Sequence, residues 1–152
     1  MNTQTFKKGL SQILIGLGFK TVGKSLRRDQ SDVSILVSFE KGFENQWFIT
    51  VGFWLHGLAT LTTDRVERTH LYFRLERLLP EFREVVLSAG DLDDPNQPAA
   101  YDLLKTTLAA EGDTMMRNLG TEAGLRRALQ SSKLSQGMVR KEARQFLEAR
   151  MG

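Results

Sequence analysis

The chain has 152 residues, of which 41% are hydrophobic and 26% charged, and it contains no cysteine. This composition suits a single globular domain over residues 1–152, and it excludes disulfides, cysteine nucleophiles and cysteine-bound zinc. The formal net charge is only +3, and no apolar run approaches the roughly 20 residues of a membrane span. We therefore expect a cytoplasmic location and no membrane partner.

The first predicted element is an amphipathic helix over residues 3–17. Asn2 or Thr3 can cap its N-terminus, and Gly18 can supply the left-handed residue that ends it. Its apolar residues recur at helical spacing: Phe6, Leu10, Ile13, Leu14 and Leu17.

Alternating apolar residues then predict an antiparallel sheet of four to five strands. The two strongest strands, residues 32–40 and 45–56, are separated by a short connection that contains glycine, so they pair as a hairpin. Weaker alternation predicts an edge strand over residues 20–28 and a fourth strand over residues 69–77, where helical spacing also fits. Residues 82–89 fit either a further strand or a helix.

From Pro98 onward the apolar spacing becomes helical. It predicts helices over residues 98–118, 122–130 and 136–150, with Gly112 as the weak point of the first and Ser135 as the cap of the last. The order of helix, strands and helices predicts an α+β fold: an N-terminal helix, an antiparallel sheet and C-terminal helices.

The alternation also gives the sheet two unlike faces. One parity is apolar and predicts the core, whereas the other carries polar and aromatic residues. Aromatic residues and arginine anchor protein interfaces, so this second face is the candidate partner-binding site. The alternative is that the C-terminal helices cover this face and make its tryptophan part of the core. The candidate residues are Glu40, Trp54, His56, Tyr72, Arg74 and Glu76.

Charge is segregated along the chain. Residues 1–28 carry six basic residues and no acid, residues 29–114 carry 7 bases and 15 acids, and residues 115–152 carry 8 bases and 3 acids. Basic helices beside an aromatic sheet face leave nucleic-acid binding open as an alternative function. The acidic middle segment would repel phosphate groups, which favours a protein partner.

The patterns that mark catalytic and metal sites are missing. His56 and His70 do not have the spacing of metal ligands, and the acidic segment 91–94 lacks the glycine and glutamate of a calcium loop. We find neither a nucleophile elbow nor a phosphate-binding loop. The sequence therefore predicts no catalytic residue, no metal and no cofactor; a small hydrolase-like enzyme is the second alternative.

Four segments resemble the bacterial "domain of unknown function 4304" family: Gly18-Phe19-Lys20, the strands at residues 32–39 and 46–52, and residues 69–78. The resemblance covers roughly residues 4–130. Two departures are Thr69, where relatives often have cysteine, and residues 84–87 in place of a tryptophan-rich stretch.

The family has no established catalytic motif. Its members are small, bacterial and cytosolic, and in size and gene setting they are similar to immunity proteins that neutralise secreted toxins. The resemblance therefore implies a non-enzymatic protein that binds a cognate toxin. The oligomeric state stays open.

Overall fold

A computed structural model describes residues 1–131, 133–134 and 137–149. The N-terminal half contains α1 (Thr3–Gly16), β1 (Lys20–Val22), β2 (Ser25–Asp29), β3 (Val33–Lys41), β4 (Trp47–Leu55), a 3₁₀ turn (Val66–Arg68) and β5 (Leu71–Arg74). Next come α2 (Leu75–Leu78), a second 3₁₀ turn (Pro80–Phe82), α3 (Arg83–Gly90), α4 (Gln97–Thr107), a π turn (Leu108–Gly112) and α5 (Asp113–Leu119). The last described elements are α6 (Glu122–Gln130), β6 (Met138–Val139) and α7 (Lys141–Ala149).

The predicted α+β fold is confirmed. The strands form one six-stranded antiparallel sheet in which neighbours follow chain order, and its centre is the predicted hairpin of β3 and β4. The hairpin register runs from Val33 opposite Leu55 to Lys41 opposite Trp47. Among the described residues, no helix combines the length and hydropathy that a membrane crossing requires.

The core lies on one face of the sheet, between the strands and the helices. Side chains of the predicted parity point into it, and helix α1 contributes its apolar stripe. The Asn2 side chain caps α1 by accepting from the Thr5 amide at 2.8 Å, and Gly18 follows the helix with a left-handed φ of +96°. The buried core residues include Phe6, Leu10, Leu14, Ile35, Val37, Ile49, Val51, Phe53, Leu104 and Leu125.

The predicted strand over residues 20–28 is wrong, because this segment forms two strands. Gly23 has a positive φ of +56° and, with Lys24, turns the chain back so that Val22 pairs with Ser25. The Asp64 carboxylate holds the turn by accepting from the Lys24 amide at 2.9 Å. This extra strand and the short β6 raise the count from the expected four to five to six.

The predicted strand over residues 69–77 is too long. Only Leu71–Arg74 is a strand, and Leu75–Leu78 forms a short helix before Pro80. Leu75 and Leu79 are both buried, so the helical spacing that competes with alternation determines the structure here. Residues 83–90 likewise adopt the helical alternative, with Val86 and Ala89 in the core.

The C-terminal helices match the prediction in part. The first is interrupted by the π turn, whose last residue is Gly112, the predicted weak point. The second occupies residues 122–130 as predicted. The predicted last helix begins later, at Lys141, because Met138 and Val139 pair with β5 as β6. Its predicted cap, Ser135, lies outside the described residues.

Candidate functional site

The loop of residues 56–70 covers one half of the second sheet face. Val66 in this loop is fully buried. A Cβ at Gly52 would lie 2.5 Å from Thr69 Oγ1 and 3.0 Å from Val66 Cγ1, so the missing side chain leaves space for the loop. Arg140 fastens the loop by donating to the carbonyls of Thr69 and Glu67, both at 2.9 Å.

Trp54 belongs to the covered half, so its predicted exposure is wrong. The side chain is 7% exposed, and its ring centroid lies 4.1 Å from that of His70 with an interplanar angle of 30°. Its indole Nε1 donates to the Ala59 carbonyl at 2.8 Å. Strand parity assigns Trp54 to the correct face but carries no information about a loop that folds back over it. Trp54 therefore fastens the loop to the sheet.

Hydrogen bonds attach His70 to β4. Its Nδ1 accepts from the Leu55 amide at 2.9 Å, and its own amide donates to the Phe53 carbonyl. Burial lowers the pKa of His70, and the nearby Arg140 charge lowers it further, while Glu142 acts in the opposite direction. A neutral imidazole joins the loop to β4.

Glu76 is also misplaced by the prediction. It lies in α2 and is 4% exposed, because the chain leaves the strand at Leu75. Its Oε2 has no hydrogen-bond partner among the described residues. The residue is therefore absent from the surface that a partner could contact.

His56 is exposed at the end of β4 and belongs to a chain of hydrogen bonds. Its Nε2 lies 2.7 Å from Ser34 Oγ, which lies 2.5 Å from Asp29 Oδ1. Arg27 Nε donates to the same carboxylate oxygen at 2.7 Å. Because an ionised carboxylate can only accept, the Ser34 hydroxyl donates to Asp29 and His56 Nε2 donates to Ser34. Partial burial raises the pKa of Asp29, but the hydrogen bonds from Arg27 and Ser34 outweigh it and leave that pKa below its ordinary value.

This cluster contains the residue types of a nucleophilic triad in a different order. In a triad the carboxylate orients the histidine, and the histidine accepts the serine proton. Here the serine hydroxyl donates its hydrogen bond to the carboxylate and not to the histidine, and the Ser34 side chain is fully buried. The arrangement joins the adjoining ends of β2, β3 and β4. Among the described residues, no group of three or more His, Asp or Glu side chains is placed to hold a metal ion.

The other half of the second face is open, and it brings predicted and unpredicted residues together. Arg74 lies with its guanidinium carbon 3.8 Å from the centroid of the Phe48 ring, and Glu40 pairs with Phe48 in the register. A hollow of about 580 Å³ is lined by Gly42, Phe43, Gln46, Phe48 and Arg74. We refer to Glu40, Phe43, Phe48 and Arg74 as the hairpin patch. Tyr72, another predicted residue, lies opposite Gly52 in the register and so borders the covered half; it is half-buried and pairs with the exposed Met138.

Phe43 is the residue of the hairpin patch that parity misses. It lies in the connection between β3 and β4, outside either alternating stretch, and is 94% exposed. Its signal in the sequence is an aromatic residue in a polar turn, where it cannot contribute to the core. Phe48 is also not among the predicted residues, although its position in the alternation places it on the second face.

A larger groove of about 720 Å³ lies between residues 77–81 and helix α5. Its floor includes Leu79, Met115 and Leu134, and its rim carries charges of both signs, including Glu81, Glu111 and Lys133. The balanced rim does not favour a ligand of either charge.

Comparisons of the chain with protein-family models, with curated proteins and with solved structures found no match. The resemblance described above stays a prediction.

Proposed function

We propose that this protein binds another protein through the hairpin patch, and that it acts in the cytoplasm as an immunity protein against a secreted bacterial toxin. The observation that carries the proposal is Phe43, which is 94% exposed beside the hollow. Fully burying a phenylalanine side chain is worth about 2 kcal/mol. The free chain does not use this energy, whereas a complex would.

The surroundings of Phe43 support a protein partner. Aromatic residues and arginine dominate the binding energy of protein interfaces, and the patch combines both in one place. The hairpin also carries the exposed acids Glu40 and Glu44 and the exposed base Lys41, while Arg74 of β5 lies against Phe48. A nucleic-acid surface needs several unopposed cations, so the mixed charges favour a protein. The family resemblance supports the immunity role.

The test is co-production with the protein encoded by the neighbouring gene. We expect the chain to restore growth against that protein and to form a complex measurable by calorimetry. Phe43→Ala should weaken the complex by roughly 30-fold, which corresponds to losing about 2 kcal/mol. Ile15→Ala is the matched control, because Ile15 is also exposed but lies on α1.

Two outcomes would overturn the proposal. If the neighbouring protein neither inhibits growth nor binds, the immunity role is wrong. If the complex forms and Phe43→Ala binds as tightly as Ile15→Ala, the partner contacts another surface.

A further inference from the structure

Building on the proposed function, we infer that the hairpin patch recognises a carboxylate beside an apolar side chain on the partner protein. Arg74 would donate to the carboxylate, and Phe43 and Phe48 would contact the apolar group. The class of epitope is therefore an aspartate or glutamate adjacent to a hydrophobic residue.

Arg74 supplies the positive charge of the hairpin patch. Among the described residues it makes no salt bridge, and its guanidinium contacts the ring of Phe48. Its N–H groups make no hydrogen bond among the described residues, so they can donate to a planar acceptor. Other arginines already have a carboxylate partner: Arg27, Arg28, Arg65, Arg117 and Arg144.

The Arg74 guanidinium is held in position before a ligand binds. Arg74 is the last residue of β5 and the N-cap of α2, so its backbone is fixed by the sheet on one side and the helix on the other. The contact with Phe48 restricts the side chain as well. A guanidinium that is already positioned loses less conformational entropy when a carboxylate binds.

The hollow is an open depression of about 580 Å³ whose lining combines the aromatic rings of Phe43 and Phe48 with Arg74. Gly42 keeps the hairpin backbone close to the ring, since a Cβ there would lie 2.5 Å from Phe48 Cε2.

The charges nearby favour a carboxylate over a polyphosphate. Glu40 and Glu44 are exposed on the same hairpin and would repel a chain of phosphates. A single carboxylate carries one negative charge, which one arginine can match, whereas a chain of phosphates carries several.

The test uses small probes and does not depend on the partner. We would titrate 3-phenylpropanoate into the ¹⁵N-labelled protein and follow the amide signals of the hairpin by NMR. We expect saturable shifts at residues that line the hollow. Binding should be about tenfold weaker for the matched amide, 3-phenylpropanamide, and for Arg74→Gln with 3-phenylpropanoate. Arg74→Lys should be intermediate, because lysine keeps the charge without the planar fork. Arg83→Gln, an exposed arginine on α3, is the control and should bind normally.

Three results would contradict the inference. Equal binding of the acid and the amide would show that the carboxylate is not recognised. Preferential, salt-sensitive binding of single-stranded DNA over the acid would assign the patch to nucleic acid. A dimer in sedimentation experiments that Arg74→Gln disrupts would make a second copy the occupant.

The two proposals fail separately. If the neighbouring protein does not bind but the probe responds to Arg74, the immunity role falls and the carboxylate site stands. If the complex forms and the probe ignores Arg74, only this inference is wrong.

Discussion

Ser34 joins the ends of three strands through the hydrogen bonds of its hydroxyl group. It donates to Asp29 on β2 and accepts from His56 just beyond β4, while Ser34 itself lies in β3. Both partners are polar groups that the fold brings close to the covered half of the sheet. Both are exposed, so each bond contributes the net value of an ordinary hydrogen bond.

Replacing Ser34 with alanine should lower the free energy of unfolding by about 1 kcal/mol, because two hydrogen bonds are lost while the exposed Asp29 and His56 gain water in their place. Chemical denaturation measures the change. The control is Ser38→Ala, a half-buried serine on the same strand and face. Equal costs for the two variants would show that the hydrogen-bond chain contributes nothing.

The positions of individual residues show how much of the site the alternating pattern predicts. Parity places Glu40, Tyr72 and Arg74 on the second face, and the strand register agrees. It cannot distinguish them from Trp54, because the covering loop contacts the sheet only in the folded chain. Phe43 escapes the same pattern because it lies in a turn.

At the scale of elements, the loop of residues 56–70 behaves as an additional layer. Gly52 provides the space, Val66 fills it, and the Trp54–His70 contact and Arg140 hold the loop in place. The long alternating strands β3 and β4 are predictable because one face of each is uniformly apolar. The loop has no period, so its position depends on contacts that sequence spacing does not contain.

Gly52→Ala should destabilise the protein by about 1–3 kcal/mol, since the new methyl group would collide with Thr69 and Val66. Thermal unfolding measures the loss, and a red shift of tryptophan fluorescence should report looser packing around Trp54. Gly16→Ala is the control, because a Cβ at Gly16 meets no atom within 4 Å. Unchanged stability and fluorescence in Gly52→Ala would mean that the loop does not pack there.

A second link between elements joins β2 to α5. Arg28 donates to Asp113 Oδ1 at 2.8 Å and to the Leu17 carbonyl at 2.9 Å, while Arg117 donates to the other carboxylate oxygen at 2.9 Å. Burial raises the pKa of Asp113, but the two arginines outweigh this effect and hold that pKa below the ordinary value of 3.8. The folded state therefore favours the ionised carboxylate.

This link predicts a pH dependence. Because the folded pKa of Asp113 is depressed, its stabilisation is fully present above the unfolded pKa near 3.8 and is lost as pH falls through the folded pKa. Asp113→Asn should cost about 3 kcal/mol near neutral pH, because Arg28 is left buried without its counter-ion. Its stability should also fall less steeply below pH 4. Urea titrations at several pH values measure both, and parallel acid slopes in the two proteins would contradict the assignment.

At the scale of the whole molecule, ion pairs neutralise only some of the charges that are segregated along the chain. Arg28 and Asp113 join the basic N-terminal segment to the acidic middle, whereas Arg27–Asp29, Arg65–Glu67 and Lys105–Asp102 are local pairs. Exposed charges of both signs therefore remain on the surface. The fold class follows from the order of apolar periods, but which surface stays open depends on how the loop and helices pack.

Amide hydrogen exchange, compared with and without the proposed partner protein, tests whether the hairpin patch is the binding surface. We expect slower exchange on binding at residues 40–48 and 72–74, which contain the hairpin patch. Protection confined to the groove between residues 77–81 and α5, with the hairpin unchanged, would contradict this expectation.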